Sequence, residues 1–372
     1  MKFFDLNKQY QKISKNLDKE LKKNFLAADF IQGKNVKILE KKLLSFTKSN
    51  YCLTCANGTD AIKLALKSLN IKKNSYIIVP SYTWISTASS VVECGFKPLF
   101  CDVNIDTFLI DKKNIEETIK FAKYKKLKVG AIISVDLFGN PVDYKKIQKI
   151  CKKEGIYFIS DAAQSFGAKN GKTYIGTNYC DILTTSFFPT KTLGCYGDGG
   201  ALFFNNKLVF NKGKAFAKNG QDVRGLISSG FNSRLDTLQA TILLEKIKYL
   251  KKENIQKKNI YNYYNKNLNK KILDLQVINP KNLSGYSVMT IRLKEGFNRN
   301  SLIEYLRKNN IPTKVYYSPP LHKSKYYKKF PHMKMRNTEY LSLHNLSLPI
   351  YPYMELKKMK TICDHINNFY NR

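Results

Sequence analysis

The chain has 372 residues, 43% hydrophobic and 13% aromatic, which suits a globular protein with a real core and excludes a disordered tail. No apolar run is long enough to span a bilayer, and the start, MKFFDLNKQYQK, turns polar after four residues, so neither a membrane span nor a signal peptide is expected and the predicted location is cytoplasmic. The net charge of +36 invites a nucleic-acid reading, but only seven of the 64 basic residues are arginine and the first is Arg224; base and phosphate forks favour arginine, so solvated lysine faces without a nucleic-acid partner are expected.

Ile13, Leu17 and Leu21 recur at four-residue spacing and mark an opening amphipathic helix. Strand-like Tyr51–Thr54 leads into NGTDAIKLALKSL, a helix started by Asn57, Gly58 and Thr59 and continued by Ile62, Leu64, Leu66 and Leu69. SYIIVP is a strand, TWISTASSVVE is helix-like and KPLFCDV is a strand. VGAIISVDLFG then reads as a buried strand, DYKKIQKICKKEG as a helix and IYFIS as another strand. Such alternation predicts an α/β fold with a largely parallel sheet. After about residue 235 the texture changes. LDTLQATILLEKIKYLKKENIQKKNIYNYYNK reads as one long helix, followed by strand SVMTIRL, helix NRNSLIEYLRKNN and a last helix near Glu355–Phe369. Two domains are expected, a large one over 1–245 and a small C-terminal α+β one over 246–372.

The eight cysteines are scattered and fit small buried hydrophobes. Cys52 and Cys55 form a lone CxxC. A zinc site would want a second pair or nearby histidines, and all four histidines lie beyond position 320, so no metal is expected.

Four segments carry candidate chemistry. In SFFPTKTLGCYGDGGALFF, Lys191 follows a strand and a proline and precedes a loop with four glycines, Gly194, Gly197, Gly199 and Gly200. The spacing fits neither GxGxxG nor a P-loop. A lysine in so tight and apolar a setting can lose its proton and form imines; a solvent-facing turn lysine is the plain alternative. In IYFISDAAQSFGA, Asp161 ends a buried strand, where ligands sit in α/β sheets and where an acid could hold a pyridine nitrogen protonated; it could equally cap the next turn. CANGTDAIKLAL offers helix-start N–H groups for a phosphate, or an ordinary N-cap. In PSYTWISTA, Trp84, the single tryptophan, could stack on a flat ring or sit in the core.

Together these segments resemble the DegT/StrS-type family of pyridoxal-phosphate-dependent sugar aminotransferases over nearly the whole chain, from FFDLNKQY to SLPIYPY, with NGTDA, PSYTW, DAAQSFGA, SFFPTK with GDGGA, and NSRLDTLQA in order. The resemblance implies a fold-type-I, aspartate-aminotransferase-like architecture with a mixed, mostly parallel sheet, and pyridoxal 5'-phosphate as cofactor. It implies Lys191 as the Schiff-base lysine that also moves protons, Asp161 at the pyridinium nitrogen, Gln164 beside the ring, and Trp84 on its face. Gly58, Thr59 and Ser186 would hold the phosphate, and Asn232 would reach it from the other subunit of a homodimer. Relatives with histidine in place of the lysine perform dehydration, so Lys191 favours transamination.

The segments look closest to the WbpE-like branch, which aminates C3 of UDP-2-acetamido-2-deoxy-3-oxo-glucuronate with glutamate as donor, for surface polysaccharide. In that setting Arg234 is a candidate for the substrate carboxylate, or a structural residue of a common motif. One departure stands out. The branch carries a His-Tyr pair where KVYYSPPLH has Tyr316 and Tyr317, and a neutral phenol is no cation. A UDP-3-oxo-N-acetylglucosamine is therefore an alternative substrate, ahead of a dTDP-3-keto-6-deoxyhexose or a 4-keto sugar. A non-catalytic basic binding protein on a degenerate fold is the reading from another class, and intact Lys191, Asp161 and Gln164 oppose it.

Overall fold

A seven-stranded sheet organises the chain; the computed structural model describes residues 1–370. Its strands are β1 (Tyr51–Cys55), β2 (Tyr76–Pro80), β3 (Lys97–Cys101), β4 (Val129–Val135), β5 (Tyr157–Asp161), β6 (Ile182–Ser186) and β7 (Gly200–Phe204). They lie in the order β1-β7-β6-β5-β4-β2-β3. All neighbours pair in parallel except β7, which runs antiparallel to both β6 and β1. The mixed, mostly parallel sheet is the one expected.

Alternation along each strand supplies two core layers. Ile78 and Ile132 point into one, and Ile77, Val79, Ala131 and Ile133 into the other. The first layer is covered by α1 (Leu6–Leu26), α2 (Lys34–Leu44), α5 (Lys112–Tyr124), α6 (Tyr144–Glu154) and α8 (Thr237–Lys246). The second is covered by α3 (Gly58–Ser68), α4 (Ser86–Glu93) and α7 (Lys207–Ala217). Side-chain caps start several of these helices. Asn57 accepts from Asp60 N, Asp111 from Asn114 N and Asp143 from Lys146 N. Cys52 and Cys55 fall in opposite layers of β1, and burial raises both thiols, so the CxxC is two core residues and not a paired site.

The long helix expected over 235–266 is broken. α8 ends at Lys246 and α9 spans Leu250–Asn267. Between them Lys248 N bonds Glu245 O, Tyr249 N bonds Lys246 O and Leu250 N bonds Ile247 O, so the backbone tightens to i→i−3 bonds and turns. Periodicity in an apolar-rich stretch does not reveal such a change of pitch. The helix-like TWISTASSVVE starts only at Ser86, which leaves Trp84 in the preceding loop.

Beyond α9, a three-stranded antiparallel sheet of β8 (Leu273–Leu275), β9 (Met289–Leu293) and β10 (Asn345–Leu348) pairs in the order β8-β9-β10. It packs with α10 (Arg299–Lys308) and the C-terminal helix Leu356–Phe369 around a third core drawn from Ile260 to Ile366. One segment crosses back: Leu321, Tyr327 and Met335 join the core of the large sheet. Among the described residues no helix is long and apolar enough to cross a membrane.

Candidate active site

At the carboxyl edge of the parallel strands lies a cavity of about 370 Å³, where open α/β sheets leave room for ligands. Its wall is assembled from distant parts of the sequence. The β1–α3 junction brings Asn57, Gly58 and Thr59, the loop after β2 brings Thr83 and Trp84, and the end of β5 brings Asp161, Ala163 and Gln164. From β6 and the loop after it come Ser186, Phe188, Thr190, Lys191 and Asp198.

The β6–β7 loop is tied at both ends. Ser186 pairs with Gly200 across the strands, and Phe187 N bonds Gly199 O at 2.7 Å. Inside it, Lys191 N closes a turn onto Phe188 O at 2.8 Å, which aims the lysine at the cavity. Burial pushes the Lys191 ammonium below its usual proton affinity, with the Asp161 carboxylate pulling the other way. Asp161 is 8% exposed. Burial raises its carboxyl, opposed first by the Ala163 N–H on Oδ1 at 3.0 Å and then by Lys191. A depressed lysine and a buried acid thus face one space, and neither feature alone would single them out.

Gln164 is fixed from behind. Its Oε1 accepts from Phe138 N at 2.8 Å, and its Nε2 reaches the Tyr317 hydroxyl at 3.4 Å. Burial raises the Tyr317 phenol, which accepts that bond in its neutral form. Trp84 is 55% exposed and tilted against Tyr317 at 5.9 Å between ring centroids, a cavity wall rather than a core aromatic. The Thr59 hydroxyl donates to Ser86 Oγ at 2.9 Å, and Ser186 Oγ accepts from Phe188 N at 3.2 Å. Gly58 has no room for a side chain: a Cβ there would stand 2.6 Å from Ser186 Cβ. The close approach of the first turn of α3 to Ser186 is what that glycine permits.

Nine of the residues singled out from sequence line this cavity: Gly58, Thr59, Trp84, Asp161, Gln164, Ser186, Lys191, Tyr316 and Tyr317. Asn232 and Arg234 do not; both are exposed. Between them Ser233 is fully buried, donating to Asp60 Oδ2 at 2.9 Å and accepting from Ala56 N at 3.2 Å. The segment is therefore pinned to the head of α3, with its two flanking side chains turned outward. Sequence reasoning missed Phe4, Asp198, Ser287 and Val288, which also line the space. Asp198 stood inside the glycine loop and was recognisable by position; the others arrive from remote segments and carry no local signal.

A pyridoxal phosphate needs an amine, an acid for its ring nitrogen, and N–H or hydroxyl groups for its phosphate. Lys191, Asp161, and the helix start at Gly58 and Thr59 with Ser186 meet those needs inside one cavity.

Comparison with known proteins points to one family. The DegT/DnrJ/EryC1/StrS aminotransferase family matches residues 11–367. The chain is 35% identical, over 99% of its length and 100% of the relative's, to the UDP-2-acetamido-2-deoxy-3-oxo-D-glucuronate aminotransferase of Pseudomonas aeruginosa. A DegT/DnrJ/EryC1/StrS aminotransferase structure from Brucella abortus superposes with a TM-score of 0.95 at 34% identity, covering 100% of both chains. The NtdA structure from Bacillus subtilis with bound cofactor PMP superposes with a TM-score of 0.89 at 26% identity, covering 97% of this chain and 82% of that one.

Proposed function

The chain belongs to the DegT/DnrJ/EryC1/StrS aminotransferase family, and on that footing we propose that it transfers the amino group of glutamate to C3 of a UDP-linked 2-acetamido-3-oxo sugar, using pyridoxal phosphate. The observation that carries the reading is the pair at the sheet edge: Lys191, its basicity lowered by burial, facing the same cavity as the buried Asp161. When bound, the cofactor supplies a carbon for amine exchange and an electron-withdrawing ring.

The side chains divide the remaining work. Lys191 Nζ, neutral more readily than an exposed lysine, takes a proton from one carbon and returns it to another. Asp161 holds the proton of the ring nitrogen, and its ionised form is favoured again once a cation sits against it. Gly58 and Thr59 at the start of α3, where the helix dipole favours an anion, and Ser186 at the end of β6 would hold the phosphate through N–H and hydroxyl groups. Gln164, held by Phe138, stays beside the ring, and Trp84 with Tyr317 keeps water from its face.

The relative from Pseudomonas aeruginosa, matched along its whole length, supports the 3-oxo-glucuronate as substrate. Of the described residues lining the cavity, Lys191 alone is basic, and Tyr316 and Tyr317 offer no charge. A uronate carboxylate and a diphosphate therefore need cations from outside this wall. A homodimer helps to meet that need if the outward-turned Arg234 reaches the carboxylate in the partner's cavity, while the neutral Asn232 hydrogen-bonds the cofactor phosphate there. The neutral tyrosines favour the second reading, a UDP-3-oxo-N-acetylglucosamine, which lacks the carboxylate and asks for a cation at the diphosphate alone.

The reverse reaction tests both. With 2-oxoglutarate and a panel of UDP- and dTDP-amino sugars, glutamate should form from the 3-amino uronate, and Arg234→Ala should lower that rate roughly 100-fold while sparing the hydroxymethyl sugar. Turnover of the hydroxymethyl sugar alone selects the second reading. Turnover confined to 4-amino sugars refutes both.

A further inference from the structure

Asp136 lies one layer behind the cavity and has no part in the chemistry above. It follows β4 directly, where Val135 pairs with Asp161, and its own N–H donates to the Asp161 carbonyl at 3.1 Å. The side chain is fully buried. All three of its donors are neutral: Val142 N at 2.9 Å on Oδ1, and the Tyr144 and Ser165 hydroxyls, each at 2.7 Å, on Oδ2. Tyr144 also meets Ser160 Oγ at 2.8 Å. The carboxylate thus grips both ends of the turn 161–165, through Tyr144 and Ser160 before Asp161 and through Ser165 after Gln164. A buried acid satisfied by three neutral donors is costlier than an apolar side chain of its size, so packing alone does not explain it.

We propose that Asp136 is a positioning residue for Asp161 and Gln164, and that its negative charge behind Asp161 strengthens the hold on the proton of the cofactor's ring nitrogen. This rests on the reading that Asp161 faces that nitrogen. The titratable groups facing Asp136 are Asp161 at the end of β5, Tyr144 on α6 and Cys180 ahead of β6. None is a cation. Burial lifts the Asp136 carboxyl to about 7, the donors from Ser165, Val142 and Tyr144 opposing and Asp161 adding to the rise. A cation at the ring nitrogen would draw it back toward the charged form. A negative charge there raises the proton affinity of every cationic group above it, including the linkage between Lys191 and the cofactor.

The test is a pH titration of the visible absorption of the cofactor-loaded enzyme. In Asp136→Asn, which keeps the shape and removes the charge, the midpoint should fall by about one pH unit with the cofactor still bound. Ser165→Ala removes one donor that favours the ionised acid, and should shift the midpoint the same way by less; it serves where Asp136→Asn fails to fold. An unchanged midpoint in the variants that fold overturns the proposal, whether or not the melting temperature drops. Asp161→Asn is run beside them. If it binds cofactor and turns over like wild type, the reading of Asp161 falls. If it is impaired while Asp136→Asn titrates like wild type, only the present inference falls.

Discussion

Lysines of lowered basicity occur at more than one place in this molecule, and only Lys191 is set to do chemistry. Around Lys191, a lysine with lowered basicity opens onto a cavity of about 370 Å³ and shares it with Asp161. At the end of α8 and inside α9, Lys246 and Lys257 are 2% and 5% exposed, and burial pushes both down to about 8, with Glu253 opposing. Yet Lys257 Nζ is committed to the Gly285 carbonyl at 2.7 Å, and Lys246 Nζ lies 4.6 Å over the Tyr196 ring. Glu253 is itself held by Gln9 and Tyr353. Depressed basicity therefore marks burial and not function. What distinguishes Lys191 is an acid in the same space and room for a third party between them.

The largest effect should separate the two regions outright. Lys191→Ala should lower transamination at least a thousandfold, since it removes both the nucleophile and the proton carrier, and borohydride should no longer fix the cofactor to the chain. Lys246→Met and Lys257→Met should leave that label on Lys191. Peptide mass spectrometry decides the point, and a label on either of the other lysines would erase the distinction.

A smaller effect is expected at the cradle. Gly58→Ala drives a methyl into Ser186, so the first turn of α3 must back away from the phosphate. Cofactor affinity should weaken roughly tenfold to a hundredfold with little change in melting temperature, as measured by reconstitution of the apoenzyme.

The smallest effect belongs to the inert pair. Below pH 8 the folded chain carries both buried ammoniums charged, at a cost. Between about 8 and the usual 10.5 the unfolded chain holds protons that the folded chain has released, so stability rises with pH across that window. Lys246→Met should remove part of that rise and gain about 1 kcal/mol at pH 7. Lys257→Met should instead lose about 1–3 kcal/mol, because the Gly285 carbonyl is left without its donor. Urea unfolding across pH 7 to 10 checks both signs.

How much of this was legible beforehand depends on whether the signal was local. The Asn57 cap, the strand ending in Asp161 and the glycine loop after Lys191 each carry their own chemistry within a dozen residues, and each lies where its pattern predicts. The break after Lys246 was hidden because apolar spacing continues through a tightened turn. Asp136 was in plain view inside VGAIISVDLFG, but its weight comes from Tyr144 and Ser165, which only the fold brings to it. Phe4, Ser287 and Val288 were silent for the same reason: nothing in their neighbourhoods says which cavity they will line.

The one antiparallel strand of the large sheet also divides its contacts by distance along the chain. β6 and β7 are neighbours in sequence, so the loop that presents Lys191 closes through short-range contacts. The other flank of β7 pairs Cys55 with Gly200, across more than a hundred residues of intervening chain. Gly58 meets Ser186 across that long-range pairing. The loop that presents the lysine therefore closes at a lower entropic cost than the seat formed by Gly58 and Ser186, and a sheet lacking β1 would hold the lysine without that glycine turn beside it.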